Sequence, residues 1–365
     1  MSTHDYVLSN QVGSDARVDL NLLFQAIVSQ NSSATEPATT YPYMIWMDTS
    51  TNTLKMRNAA NTSWGYHNKG YPINYNGNMQ IAQAGTSFAA PASLAYDIDG
   101  WQNVNTSAAV LTVDQVTGSV SGKYARQVTI TTADASVAAG DILTDSHIVE
   151  GYDISQLVGK DFTVSFTAKF PVTGIHCVTL RNYGINRSYV HEINCVAANT
   201  YADYSFTVVG GLPSTGTWAY TNGIGLYFNM QHMAGTTFTG TPATADTWMT
   251  GNYMTTANQV NDCATIGNVW AMEEFRIDLG TVKGTEWPSY QENLARCQRY
   301  YRTVKLAIAA STDNTSSTLL STSMRDVPTI TGGGAGFTST GTTNEALLCY
   351  QTARANVTLT LASRL

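Results

Sequence analysis

Charge is scarce in this chain. Lys, Arg, Asp and Glu together make up only 12% of 365 residues, and the formal net charge is −7. Such a chain has no broad basic face with which to track phosphates, so nucleic acid is not an expected partner. Apolar residues reach 43%, yet no run approaches the roughly 18 to 20 needed to cross a bilayer, so no membrane insertion is expected. The opening MSTHDYVLSNQ lacks the basic start, apolar middle and small-residue cleavage site of a signal peptide, which points to folding in a reducing cytoplasm. Five cysteines without a CxxC pair argue against a disulfide framework or a zinc knuckle and for buried free thiols. Sequence signatures of catalysis are missing too: there is no GxSxG, no HExxH, no GxxxxGK[ST], and no GxGxxG between a strand and a helix. No metal, no cofactor and no enzyme activity are expected.

What is abundant is Thr, Asn, Ser, Gly, Ala and Tyr, a mixture that favours strands joined by short turns. It also suits a surface shared with neighbouring subunits, where long charged side chains would lose rotamer freedom.

Residues 1–70 read as a small helix-plus-hairpin unit. In SDARVDLNLLFQAIVSQN, Leu20, Leu23, Phe24 and Ile27 fall at i, i+3, i+4 and i+7, with Ser14 or Asp15 as the expected N-cap. Val18, Leu22 and Val28 lie off that stripe, so the helix is apolar on two sides, as one buried between partners would be. Two strands follow around a polar turn at 48–53, with Ile45 and Met47 facing Leu54 and Met56.

Residues 71–288 read as an antiparallel β-sandwich of jelly-roll type. Strand signals recur to about residue 282 with no convincing helix between them, and Phe162, Val164, Phe166 and Ala168 alternate with Thr163, Ser165 and Thr167. Residues 289–304 form a connecting helix opened by Pro288 and Ser289, on which Tyr290, Leu294, Cys297 and Tyr301 share a face. Residues 305–365 return to short strands, broken by the Gly-rich TGGGAGF loop, as a terminal β unit. The whole is mainly β.

Three constellations bear on chemistry. His176, Cys177, His191 and Cys195 lie within twenty residues, but adjacent His176 and Cys177 point to opposite faces of a strand, and the spacing fits no zinc pattern. Glu273 and Glu274 are neighbours on a strand, so only one is expected to face a cleft, while Asp97 and Asp99 share a face with Trp101 at a strand edge or calcium loop. Trp218, Tyr220, Trp248 and Tyr253 sit in Thr, Gly and Asn-rich connections, where sugar rings stack on aromatics and polar neighbours bond their hydroxyls. The same four residues would equally pack against a neighbouring subunit.

The stretch NSSATEPATTYPYMIWMDTSTNTLKMRNAANTSW resembles the N-terminal region of tail fibre proteins of tailed bacteriophages. INYNGNMQIAQAGTSF is similar to the start of their β-sandwich, WPSYQENLARCQRYY to its close, and STSMRDVPTI to the strand that follows. The chain departs from the pattern at Ala84, where an arginine is usual, and over residues 64–70. The resemblance implies a homotrimeric, non-enzymatic virion protein, assembled in the host cytoplasm. It would bind other tail proteins through its N-terminus and a host-surface glycan or other receptor through its distal part. Two alternatives stay open: a purely structural fibre or adaptor segment carrying another receptor-binding protein, and a polysaccharide depolymerase. On the first reading, Tyr290, Leu294, Cys297 and Tyr301 clasp the connecting helix to the sandwich, and Arg296 and Arg299 face acidic or carbonyl groups.

Overall fold

In the computed structural model, which describes residues 4, 6–7, 11–50, 53–66, 70–239, 245–280, 283–284, 286–308, 316–319, 323–332, 337–339, 342–351 and 355–364, the chain divides into two units. One comprises residues 1–71 and 284–286, the other residues 72–283 and 287–365.

In the first unit, helix α1 spans Gly13–Val28. It begins two residues earlier than a Ser14 cap would place it, and three earlier than an Asp15 cap. Its N-cap is Val12, with no side-chain cap, and Ser14 instead bonds Asp15. Ala26 is its one buried residue, Leu23 is half-buried, and Leu20, Phe24 and Ile27 are exposed along with Val18, Leu22 and Val28. Among the described residues the helix is therefore apolar on two sides, with most of its large apolar side chains exposed.

A three-stranded antiparallel sheet completes the unit: β1 (Ile45–Asp48), β2 (Thr53–Arg57) and β3 (Trp64–Tyr66). Ile45 pairs with Met56 and Met47 with Leu54, as the alternation predicts. The better buried face is the opposite one, of Trp46 and Asp48. Trp46 meets Trp64 edge-on at 5.2 Å, and Lys55 lies over the Trp46 ring while bonding Asp48 at 2.8 Å. Two indoles capped by cations give this small sheet the core that two strands alone lack.

The second unit is an antiparallel sandwich. Its strands are β4 (Ser87–Ala89), β5 (Trp101–Asn105), β6 (Val110–Thr117), β7 (Tyr124–Thr132), β8 (Ile142–Glu150), β9 (Phe162–Lys169), β10 (Gly174–Asn182), β11 (Arg187–Cys195), β12 (Ala202–Val208), β13 (Ile224–Ala234), β14 (Trp248–Thr250) and β15 (Val269–Leu279). A short helix α2 (Gly151–Ile154) follows β8. Sheet I runs β14-β11-β10-β13-β8-β5 and sheet II runs β12-β9-β15-β7-β6-β4.

Between the sheets lies one hydrophobic core. Phe162, Val164, Phe166 and Ala168 enter it from β9, Val178 and Leu180 from β10, Phe228 and Met230 from β13, and Trp270, Phe275 and Ile277 from β15. Each large side chain removed from water there contributes about 1.5 to 3 kcal/mol. The core also encloses ions. Arg126 grips Asp97 through two bonds at 2.8 and 2.7 Å and reaches Asp145 at 2.8 Å, while His232 sits between Asp145 and Asp262. Asp97 is thus a core partner of Arg126, and Asp99 accepts from Gln83 N and Nε2. Neither belongs to an open calcium loop.

Helix α3 (Tyr290–Gln298) opens on a capping box between Ser289 and Glu292. Asn293 and Cys297 are buried, and Cys297 packs with Tyr75, Ile81, Leu294 and Tyr300. Two members of the expected face fall elsewhere: Tyr290 is half exposed, and Tyr301 is the first residue of strand β16 (Tyr301–Ile308). The helix ends at Gln298, so the 3.6-residue period stops short, and the ring that reaches the core is that of Tyr300. Arg296 Nη2 donates to the carbonyls of Pro72 and Ile73 at 3.1 and 2.8 Å, which anchors the helix over the segment entering the sandwich.

The terminal strands form two further sheets. One holds β16, β18 (Thr329–Gly332) and β21 (Ala355–Ala362), the other β17 (Ser316–Leu319), β19 (Phe337–Ser339) and β20 (Ala346–Gln351). Part of the Gly-rich loop lies outside the described residues. Arg325, from the STSMRDVPTI stretch, donates to the carbonyls of Ser363, Arg364 and Asn222, tying these strands to the loop before β13.

Candidate functional site

The four loop aromatics separate into a pair and two single residues. Trp218 and Trp248 meet edge-on, with centroids 5.6 Å apart, and Trp248 continues onto Tyr189 at 5.5 Å. Both indoles pack against the main core, and both N–H groups donate to backbone, Trp218 to Thr215 at 3.0 Å and Trp248 to Gly211 at 2.9 Å. They are partly buried packing residues at the margin of the core. Tyr220 is exposed and Tyr253 half-buried, and among the described residues no ring contact joins either to the tryptophans.

The His and Cys group also resolves into separate roles. Cys177 and Cys195 are buried thiols, His176 stacks on Phe170 at 4.0 Å, and His191 bonds Asp246 at 2.6 Å. Among the described residues no three His, Cys, Asp or Glu side chains are gathered as a metal would require.

Polar side chains converge instead on the outer face of sheet II, in a cleft of about 290 Å³. Thr167 comes from β9, Tyr201 and Asp203 from the start of β12, Glu273 and Glu274 from β15, and Ser119 and Lys123 from the turn joining β6 to β7, with Lys283 at the margin. The backbone explains why both glutamates arrive. The pairing of β15 with β9 slips between Glu273 and Arg276, and Glu274 sits at φ +53°, so two consecutive side chains turn toward one side. The alternation of a regular strand would have sent one of them away.

Each carboxylate is held. Glu273 is fully buried and accepts from Ser119 N at 2.7 Å and from the Ser119 hydroxyl. Glu274 pairs with Lys123 at 3.1 Å, and Asp203 accepts from Thr167 Oγ1. Gly118 makes room for this: a Cβ there would stand 1.9 Å from Glu273 Oε2. Lys169 lies 5.3 Å from the centroid of Tyr201. Burial, with the Glu273 charge adding to it, pushes the Tyr201 hydroxyl up to about 12, so it stays a neutral donor. The cleft therefore offers acceptors, ammonium and hydroxyl donors and one aromatic ring, the mixture that recognises a hydroxylated ligand.

No protein-family profile and no curated protein sequence matches the chain. Among solved structures, the chain is similar to the enzymatically active domain of bacteriophage CBA120 tailspike protein 4, at 13% identity and a TM-score of 0.31, over 57% of this chain and 21% of that one. It thus spans about a fifth of that protein. It is also similar to a CBM4 structure, at 14% identity and a TM-score of 0.30 over 56% and 97% of the two chains. A family 11 carbohydrate-binding module from Clostridium thermocellum matches at 11% identity and a TM-score of 0.28 over 56% and 98%.

Proposed function

We propose that this chain is a tail fibre or spike protein of a tailed bacteriophage, which attaches to the tail through its N-terminal unit and holds a host-surface saccharide on its sandwich without cleaving it. The observation that carries the saccharide part is the convergence of Tyr201, Asp203, Glu273, Glu274, Lys123 and Thr167 in one open cleft. A sugar lays its C–H face on an aromatic ring and exchanges hydroxyl hydrogen bonds with carboxylates and ammonium groups. The fibre part rests on the resemblance of residues 31–64 and 287–301. It is supported by the uncovered apolar residues of α1, which suit assembly into a closed trimer within the virion tail. A structural segment carrying another receptor-binding protein is the second reading, favoured by Trp218 and Trp248 having both indole N–H groups on backbone carbonyls.

The test combines light scattering of the full chain, staining of candidate host cells with labelled protein, and a glycan array read for wild type and Asp203→Ala. The reading expects a trimer that stains cells, binds an array glycan at least tenfold more weakly after Asp203→Ala, and releases no reducing ends from host polysaccharide. A trimer that binds neither cells nor glycans selects the structural segment. Released reducing ends select a depolymerase, and a monomer removes the fibre assignment.

A further inference from the structure

The chain turns sharply where β8 runs into α2. Gly151 permits the turn, because a Cβ there would stand 2.5 Å from the Ala219 carbonyl oxygen and 2.6 Å from that of Thr221. Gly151 N donates to the Gly223 carbonyl at 2.9 Å and Tyr152 N to the Thr221 carbonyl at 3.0 Å, which pins α2 to the loop before β13. The Tyr152 side chain stays outside. It is 58% exposed, and among the described residues its ring meets no other ring and no cation.

A cavity of about 240 Å³ opens beside Tyr152. The stacked rings of Tyr75 and Tyr300 line it together with Glu150 and Arg299, and Asp153 and Arg296 complete it. Glu150 is buried, paired with Arg299 and bonded by the Tyr300 hydroxyl, so its charge is already matched. These groups hold one another in place, and a preformed pocket is the result.

Asp153 and the two arginines have bonding capacity left. Among the described residues the half-buried Asp153 carboxylate accepts no hydrogen bond and joins no ion pair. Burial raises its pKa, Arg296 acts against that, Glu150 adds to it and Arg299 opposes it, so the carboxylate lies within electrostatic reach of both guanidinium groups. Arg296 uses only Nη2, on the carbonyls of Pro72 and Ile73, and Arg299 uses Nε and Nη2, on Glu150. Arg296 Nε and Nη1 and Arg299 Nη1 donate to nothing among the described residues. One carboxylate and several guanidinium N–H groups thus line one open cavity without closing on each other.

We infer that this cavity is a second binding site, separate from the cleft on sheet II, and that it takes one neutral sugar ring. Asp153 accepts from its hydroxyls, Arg296 and Arg299 donate to them, and the Tyr152 ring lies against its C–H face. A hydroxyl both donates and accepts, so neighbouring hydroxyls match a carboxylate beside free N–H groups, as a simple anion or cation does not. Arg296 and Arg299 balance Glu150 and Asp153, which favours an uncharged ligand. Pockets for drug-sized ligands begin at about 300 Å³, so a cavity of about 240 Å³ suits a single ring rather than a chain. Because α2 is pinned through its backbone, Tyr152 offers an exposed aromatic face at little cost in ordering. None of the residues of the cleft takes part, so this site and the cleft stand or fall separately.

The experiment titrates the full chain with glucose, galactose, mannose, rhamnose, N-acetylglucosamine and glucuronic acid, read by saturation-transfer NMR. Wild type, Tyr152→Ala, Asp153→Ala and Asp203→Ala are compared, with a thermal melt of each. The expected result is a neutral sugar whose affinity falls at least tenfold in Tyr152→Ala and in Asp153→Ala and stays within threefold of wild type in Asp203→Ala. Both variants at the cavity should melt as wild type does, because one removes an exposed ring and the other a carboxylate with no partner. Tyr152→Leu, which keeps apolar bulk and loses the ring, gives the same readout if the alanine variant does not fold. Sugar binding that disappears with Asp203→Ala and persists in the Tyr152 and Asp153 variants overturns the inference and leaves the cleft standing. Glucuronic acid binding more tightly than every neutral sugar, or a wild type that binds none of the neutral sugars, overturns it as well.

Discussion

Glu150 and Arg299 meet through two parallel bonds, Nε to Oε2 at 2.7 Å and Nη2 to Oε1 at 2.6 Å, and the Tyr300 hydroxyl donates to the same Oε2 at 2.6 Å. This fork joins the end of β8 to the residues just after α3. The Tyr300 ring meanwhile stacks on Tyr75 at 4.6 Å. An acidic group at the sandwich edge and the helix that closes the sandwich are thus one unit, which is why arginines concentrate in this stretch of a chain poor in charge.

Tyr300→Ala therefore removes a buried ring and one donor to a buried carboxylate, and should cost about 3 to 5 kcal/mol in the unfolding transition of the sandwich. Tyr290→Ala, at a half-exposed position, should stay within about 0.5 kcal/mol of wild type. Denaturant unfolding of the two variants decides it, and equal losses would mean that the wrong face of α3 has been assigned to the core.

The buried histidines predict opposite slopes of stability with pH. Burial disfavours the charged form of His232, but Asp145 and Asp262 on its two nitrogens outweigh that and raise its pKa. Its contribution is complete below the unfolded value of about 6.5 and is lost as pH rises through the folded value. His147 lies among Tyr75, Trp101 and Phe275, where burial, helped by the Arg296 charge, lowers it to about 3. Its contribution is lost as pH falls from about 6.5 toward that value. Melting temperature should peak near neutrality. His232→Gln should flatten the alkaline limb and His147→Phe the acid limb, and an alkaline limb unchanged in His232→Gln would refute this account of it.

The sandwich was legible because apolar and polar side chains alternate along its strands, although β9 is buried on both faces. The alternation at residues 162–168, the pairing of Ile45 with Met56 and Met47 with Leu54, and the Pro288–Ser289 helix start all express local rules. The candidate cleft was not, since its residues come from five segments between 119 and 283. Nothing in the residues alone signals that Glu274 adopts a positive φ, and that single torsion brings both glutamates to one side. The aromatic loops left two readings open, sugar stacking or packing, and the N–H partners of Trp218 and Trp248 and their contact with the core show that both indoles pack.

Gly118→Ala tests how the cleft is built. The added Cβ would collide with Glu273 Oε2 at 1.9 Å, and the Glu273 carboxylate is buried and cannot swing freely. The turn must shift and the Ser119 bonds must lengthen, at a cost of about 1 to 3 kcal/mol. Thermal melting should show that loss, and glycan binding through the cleft should fall with it. A variant with wild-type melting would mean that the turn yields without disturbing Glu273.

Glu274→Gly should move stability and binding in opposite directions. A non-glycine residue in the left-handed region carries about 1 to 2 kcal/mol of steric cost, which glycine relieves. The variant also loses the pair with Lys123, but both side chains are partly exposed and such a pair contributes about 0 to 1 kcal/mol. The net expectation is an unchanged or slightly higher melting temperature. If the bulge persists to aim Glu274 at a ligand, removing that carboxylate should weaken saccharide binding even as the fold holds or gains. A glycine variant that melts lower and binds as wild type does would place the value of Glu274 in the Lys123 pair, making the bulge a packing feature of β15.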